Sequence, residues 1–236
     1  MNPTKKAARI AGLWYLLMAI TGPIGLIYVP SNLIVSGDAA LTAKNIMASE
    51  FLFRIGIVSN LVCQISFIFL VLALKRLFQG VDKKYSHLMV SLVIAAVPIA
   101  ILIELLQVAA LQLLNGAEYL KVFSQEQLNA CVLSLLNIHE QGTFIAGIFW
   151  GLWLYPFGYL VVKCGFIPKI FGVLLMLGCF SYLIDSSTAL LFPQQKGLVT
   201  DILMLPLAVG EISTIFWLLI KGVKTVQVDN LNPKSA

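Results

Sequence analysis

Charged side chains are scarce in this sequence. Only 11% of its 236 residues are Asp, Glu, Lys or Arg, whereas 59% are apolar, and a typical soluble domain carries about 25% charged residues. One water-soluble core of this size cannot hide so many apolar side chains, and the mean hydropathy of +0.92 agrees. The excess apolar surface is therefore expected to face lipid, which excludes an ordinary soluble domain.

The sequence also lacks the motifs of common catalytic and metal sites. It contains no HExxH, GxSxG, P-loop or GxGxxG pattern. Its four cysteines have no CxxC spacing, which argues against a zinc motif and a disulfide framework. With only two histidines, His87 and His139, a three-histidine zinc site is excluded. We therefore predict no metal and no cofactor.

The basic residues are distributed as in the loops of a membrane protein. They occur in short clusters between apolar runs, so the net charge of +5 does not indicate a nucleic-acid partner. With the N-terminus inside, the cytoplasmic side carries twelve of the sixteen, namely Lys5, Lys6, Arg9, Lys75, Arg76, Lys83, Lys84, Lys163, Lys169, Lys221, Lys224 and Lys234. The outside carries four, namely Lys44, Arg54, Lys121 and Lys196. The positive-inside rule then places both termini in the cytoplasm.

Six apolar stretches are long enough to cross a bilayer, which takes about 20 helical residues. They lie near 10–30, 53–74, 88–114, 138–162, 170–192 and 198–220. The first is too long for a signal peptide and lacks a cleavage site, so we interpret it as an uncleaved span. The predicted fold class is all-α: a polytopic membrane protein with a six-transmembrane-helix bundle. Residues 1–225 are expected to form a single membrane domain and 226–236 a disordered cytoplasmic tail.

The connections differ in length. Those near 75–87, 163–169 and 193–197 are short, so the helices on either side are expected to pack as antiparallel neighbours. The two longer connections each contain signals for a helix. Asp38 is placed to cap one over the residues that follow, and Ser124 with Gln127 has the spacing of a capping box. The second helix is expected to run into span four.

Polar side chains at membrane depth are the candidates for function, because burying a charge there costs about 2.5–3.5 kcal/mol on insertion scales. Counted at about 1.5 Å per residue, they gather in the outer half of the predicted bundle. This gathering predicts a polar pocket that opens to the outside. The candidate pocket residues are Arg54, Asn60, Glu104, Gln107, His139, Glu140, Asp185 and Glu211.

Several stretches of the chain resemble a bacterial membrane-protein family known as domain of unknown function 4386. They are ARIAGLWYLL, IYVPSNLIVSGDAALTAKNI, FRIGIVSNL, GYLVVKCGFIPKIFGVLLMLGCFSYLIDS and GEISTIFWLLIKGV. The resemblance runs from span one to span six. It implies a multi-pass protein of the bacterial inner (plasma) membrane with no established activity. Arg54, Asp185, Glu211 and His139 fall on matching positions, whereas Asn60 stands where the family often has an acidic residue.

Three hypotheses of function remain open. The first is a protein that binds or transports a small solute, proton or lipid headgroup, and it predicts a continuous polar cavity reaching Glu211. The second is a membrane enzyme acting on a lipid-like substrate, with His139, Asp185 and Glu211 converging. The third is a structural or partner-binding protein in which neighbouring helices satisfy every polar group. The sequence decides neither the ligand, nor whether a reaction is catalysed, nor the oligomeric state; the partners expected are the bilayer and a small-molecule or lipid ligand.

Overall fold

The computed structural model describes residues 3–195 and 200–222, and these are helical with no strand in either range. The helices are α1 (Pro3–Pro23), α2 (Val29–Leu33), α3 (Ala39–Ala48), α4 (Glu50–Phe78), α5 (Lys83–Leu114), α6 (Gln125–Leu152), α7 (Leu154–Cys164), α8 (Lys169–Leu191) and α9 (Thr200–Phe216). A π-helical turn, Ile24–Tyr28, joins α1 to α2, and another, Trp217–Lys221, follows α9. The predicted tail at 226–236 lies outside the described residues.

Six helical segments are long and apolar enough to cross a membrane, as predicted. They are Lys5–Leu33, Glu50–Phe78, Lys83–Leu114, Gln125–Cys164, Lys169–Leu191 and Met204–Lys221. A continuous helix satisfies its own backbone groups, which lipid cannot do. Many large apolar side chains on these segments are exposed, among them Leu13, Leu102, Leu105 and Ile220. Such an apolar exterior is the surface that a lipid-facing bundle requires.

The helix starts follow the predicted capping signals. The Asp38 side chain accepts a hydrogen bond from the Leu41 N–H at 2.9 Å, which fixes the start of α3. Ser124 and Gln127 form the reciprocal capping box at the start of α6. The helix that begins there continues to Leu152 and is followed directly by α7, so the predicted run into span four is confirmed. Gly165 ends α7 with a φ of +73°, a conformation that glycine adopts without strain.

The membrane helices pack in a closed ring. In order, α1 contacts α4, α4 contacts α5, α5 contacts α6, α6 and α7 contact α8, and α8 contacts α9. The ring closes where α9 and the π-helical turn after it contact α1. The predicted pairing of helices across the three short connections is therefore confirmed.

Glycines allow the closest of these approaches. A Cβ at Gly158 of α7 would lie 2.5 Å from the Gly172 carbonyl oxygen of α8, and one at Gly151 of α6 would lie 3.0 Å from the Cys179 carbonyl oxygen. Gly147 also faces α8, against Ser186. The spacing Gly147-x-x-x-Gly151 thus serves packing within the chain.

One end of the bundle is tied together by an ion pair. The Lys163 ammonium at the end of α7 lies 2.9 Å from a carboxylate oxygen of Asp82, which caps α5. This bond and the hydrogen bond from the Tyr85 N–H lower the pKa of the Asp82 carboxyl. The pair joins two connections that were predicted to lie on the same side of the membrane.

Candidate functional site

Four polar side chains contact one another in a row between α4, α5 and α6. Asn60 donates from Nδ2 to Glu104 Oε1 at 3.0 Å, and His139 Nε2 lies 3.1 Å from the same oxygen. Gln107 Nε2 lies 2.8 Å from His139 Nε2. All four residues are more than nine-tenths buried. The structure therefore brings together four of the eight predicted pocket residues, which we call the polar layer.

The polar layer lies between two apolar cores. In α4, Phe53 and Ile57 belong to one core and Phe67 and Leu70 to the other, with Asn60 between them. The same order holds in α5, where Val97 precedes Glu104 and Gln107 and Leu111 follows them. In α6, Leu136 precedes His139. The helices α4, α5 and α6 thus bring their polar residues to one level of the bundle.

The two contacts of His139 Nε2 make different demands on one ring nitrogen. If Nε2 carries a proton, it donates to Glu104, and the Gln107 amide must turn its oxygen toward the ring. If Nε2 carries none, its single lone pair accepts either from the Gln107 amide or from a protonated Glu104 carboxyl. The position of the proton is therefore coupled to the orientation of Gln107.

The polar layer leaves buried acceptors without a donor. Glu104 Oε2 and Asn60 Oδ1 are buried and accept no hydrogen bond from the described residues. Asn60 rests against the backbone of the π-helical turn, since a Cβ at Gly25 would collide with Asn60 Oδ1. Buried acceptors of this kind cost free energy unless they find a partner. The hypothesis in which neighbouring helices satisfy every polar group is therefore not met here.

A cavity of about 440 Å³ adjoins the polar layer, and we call it the outer cavity. Gln107 and His139 are on its wall, together with Glu140 and Thr143 of α6. Residues of the connection between α2 and α3, including Ile34 and Ser36, also line it, so it lies toward that end of the bundle. This is the end opposite to the Asp82–Lys163 pair, because α4 runs from the one to the other.

Glu211 belongs to a different site. Tyr15 of α1, which is fully buried, donates its hydroxyl to Glu211 Oε1 at 2.8 Å. Glu211 lines a second cavity of about 310 Å³, the central cavity, whose wall includes Gln64, Trp150 and Tyr182. Of the described residues that line the two cavities, Leu26 is the one they share. The single continuous cavity expected from the sequence is thus replaced by two.

The remaining candidates do not join the polar layer. Arg54 donates from Nε to Glu50 Oε1 at 2.8 Å, one turn earlier in the same helix, and its side chain is exposed. Asp185 is half-buried on α8 and lines neither of the two cavities. Glu140 is on the wall of the outer cavity but is itself exposed. Four of the eight predicted residues therefore form the polar layer, and the other four lie outside it.

A metal site built from His139, Asp185 and Glu211 is not formed. Within residues 3–195 and 200–222, no group of three or more His, Cys, Asp or Glu side chains is arranged to hold a metal ion. His139 pairs with Glu104, whereas Glu211 pairs with Tyr15. These three residues therefore do not converge as the enzyme hypothesis predicts.

Sequence reasoning missed Tyr15 and Gly25. Tyr15 stands in an apolar run of the first span, and nothing in its neighbours marks it as the partner of a carboxylate. Gly25 has a weak signal, because it follows Pro23 and a proline in a membrane helix often accompanies local irregularity. Its contact with Asn60 depends on the packing of α1 against α4, which no local pattern encodes.

These features define a multi-pass membrane protein of six apolar helices with a buried polar layer. Residues 10–222 match the model of a family described as Domain of unknown function (DUF4386). Because the match covers most of the chain, the protein belongs to this family. The resemblance seen in the sequence is confirmed, and it brings no activity with it.

A curated relative is similar to part of the chain. An uncharacterized protein of Archaeoglobus fulgidus is 33% identical over 100 residues, which cover 40% of this chain and 58% of the relative. The chain thus spans little more than half the length of that relative. No solved structure matches the chain.

Proposed function

We propose that this protein binds a small polar solute or lipid headgroup in the outer cavity, with a proton exchanged at the polar layer. The observation that carries the proposal is the shared nitrogen of His139, which contacts both Glu104 and Gln107 while His139 and Gln107 line the cavity. A ligand group that bonds to either residue would change where the proton lies.

We further propose that the protein lies in the bacterial inner (plasma) membrane with both ends in the cytoplasm. The twelve-to-four distribution of Lys and Arg supports this orientation. In it the outer cavity faces the outside, since it lies at the end of the bundle that holds the connection between α2 and α3. The bilayer is then the principal partner, and the ligand arrives from the external solution or the outer leaflet.

Cysteine labelling tests whether the outer cavity is an external, water-filled pocket. In a variant without native cysteines, Thr143→Cys places a thiol on the cavity wall, and Ile145→Cys places one on the exposed apolar side of the same helix. Intact cells are treated with a cationic, membrane-impermeant thiosulfonate. We expect Thr143→Cys to react and Ile145→Cys to be spared, because thiolate chemistry needs water. Equal reactivity of the two would contradict the pocket.

Native mass spectrometry tests the ligand. The protein is reconstituted in vesicles of phosphatidylethanolamine and phosphatidylglycerol and released into the spectrometer. We expect a retained phospholipid on the wild type that is lost from His139→Leu but kept by the surface variant Glu50→Gln. If the wild type retains none, the headgroup form of the proposal fails, and binding of water-soluble solutes is then tested by protection of Thr143→Cys from labelling. Absence of both retention and protection would refute the proposed function.

A further inference from the structure

The central cavity presents a carboxylate without a cation. Glu211 lines it, and its described hydrogen bond comes from the neutral hydroxyl of Tyr15. Among the described side chains that line this cavity, none is Lys, Arg or His. A carboxylate at membrane depth is costly unless it is protonated or matched by a positive charge. The described part of the protein supplies no such charge at this wall.

The rest of the wall suits the positive end and the apolar body of an organic cation. Trp150, Trp153 and Tyr182 contribute aromatic rings, and most other lining residues are aliphatic. Aromatic faces attract cations, most strongly where water is excluded. Gln64 also lines the cavity, and its buried Oε1 accepts no hydrogen bond from the part of the chain that the structure describes. The Glu211 carboxylate and Gln64 Oε1 are acceptors on this wall, and they favour a positive ligand over an anion.

The volume agrees with a small ligand. The cavity measures about 310 Å³, at the lower end of the range of roughly 300–1,000 Å³ for pockets that bind small molecules. It is lined by residues of α1, α4, α6, α8 and α9, so a bound molecule would contact five of the membrane helices. A whole phospholipid is too large for this space, whereas an aryl or alkyl ammonium ion is not.

We propose that the central cavity is a binding site for a monovalent organic cation with an apolar body, held by Glu211 and the surrounding aromatic rings. This site is separate from the outer cavity, and the proposal does not rest on the function proposed above. The carboxylate neutralises the ligand, Tyr15 holds the carboxylate in place, and Trp150 covers the apolar body.

The test compares two molecules of nearly the same shape. Phenyltrimethylammonium is a cation, and tert-butylbenzene is its neutral carbon isostere. Each is titrated into the full chain in lipid nanodiscs by calorimetry, and the heat from empty nanodiscs is subtracted. We expect the cation to bind the wild type at least about tenfold more tightly than the isostere, since a buried ion pair is lost when the charge is removed. No binding of the cation, or equal binding of both molecules, would overturn the proposal.

Substitutions in the wall of the central cavity test whether the cation binds there. Glu211→Gln keeps an oxygen for Tyr15 but removes the charge, so the preference for the cation should disappear. Glu50→Gln, which removes a carboxylate from the exposed pair with Arg54, should leave that preference unchanged. If Glu211→Gln does not fold, Trp150→Leu serves instead, and we expect about a threefold or greater loss of cation affinity with little change for the isostere. A wild-type preference for the cation in a folded Glu211→Gln protein, or an unchanged cation affinity in Trp150→Leu, would refute the site.

Discussion

The hydroxyl of Tyr15 lies 2.8 Å from Glu211 Oε1 and joins the first membrane helix to the last. The two residues are 196 positions apart in the sequence, so the contact exists only when the ring of helices is closed. It combines two roles, because it supports the packing of α1 against α9 and holds a carboxylate at the wall of the central cavity.

Removing this hydroxyl is expected to destabilise the protein. Tyr15→Phe keeps the buried ring but deletes the donor, and loss of a buried hydrogen bond costs about 1–2 kcal/mol. The thermal unfolding midpoint in detergent should fall. Tyr119→Phe serves as the control, because Tyr119 is exposed and its hydroxyl should contribute nothing measurable. Equal midpoints for the wild type and Tyr15→Phe would show that the bond does not contribute.

A methyl group is expected to be harmful where α7 crosses α8. Gly158→Ala would place a Cβ 2.5 Å from the Gly172 carbonyl oxygen, so the helices must separate. Overpacking of this kind costs about 1–3 kcal/mol. At Gly80, by contrast, a Cβ would meet nothing within 4 Å, and Gly80→Ala should be tolerated. Comparison of the two unfolding midpoints checks the prediction, and a Gly158→Ala protein as stable as Gly80→Ala would contradict it.

The ion pair of Asp82 and Lys163 predicts a pH dependence of stability. The Lys163 ammonium and the Tyr85 N–H lower the pKa of Asp82 in the folded protein. A group whose pKa is lowered by folding contributes stability above its unfolded pKa, and that contribution is lost as the pH falls through the folded pKa. Asp82→Asn keeps the helix cap but not the charge.

We therefore expect Asp82→Asn to unfold at a lower temperature than the wild type at neutral pH. The difference should shrink as the pH is lowered below the usual range of an aspartate. Unfolding midpoints of both proteins measured across that pH range test this. A difference that stays constant with pH would mean that the charge of Asp82 plays no part.

The orientation across the membrane predicts a labelling pattern. Cys131, an exposed residue of α6, is expected outside, and a cysteine introduced as Gln79→Cys in the connection between α4 and α5 is expected inside. Each is kept as the single cysteine of the chain. An impermeant maleimide should label Cys131 in intact cells and Gln79→Cys only after the cells are opened. The reverse pattern would invert the proposed topology and close the outer cavity to the external solution.

The sequence predicted the helices well because local chemistry determines them. The length of each apolar run, the caps at Asp38 and Ser124 and the short connections are readable without knowledge of the packing. The site was predicted only in part. Residue counting places Asn60, Glu104, Gln107 and His139 in the outer half of the bundle. Their contacts also depend on how far each helix is rotated about its axis, which counting does not give.

Helix rotation also explains why two predicted pocket residues lie elsewhere. Glu211 was expected to be the deepest residue of the same pocket, but its side chain faces Tyr15 and the central cavity instead of the polar layer. Arg54 was expected at the pocket, but Glu50 lies one helical turn away and provides a nearer partner. Sequence spacing gives positions along a helix axis, whereas these contacts depend on rotation about the axis.

Closure of the ring has a consequence for chain connectivity. Lys5 lies against Gly222, beside the contact of α9 with α1, so the first and last spans are neighbours like any other adjacent pair. The arrangement of the helices therefore does not depend on which helix comes first in the chain. A circular permutant that joins the two ends by a short linker and opens the chain elsewhere would keep every interhelical contact, although it would enter the membrane in a different order.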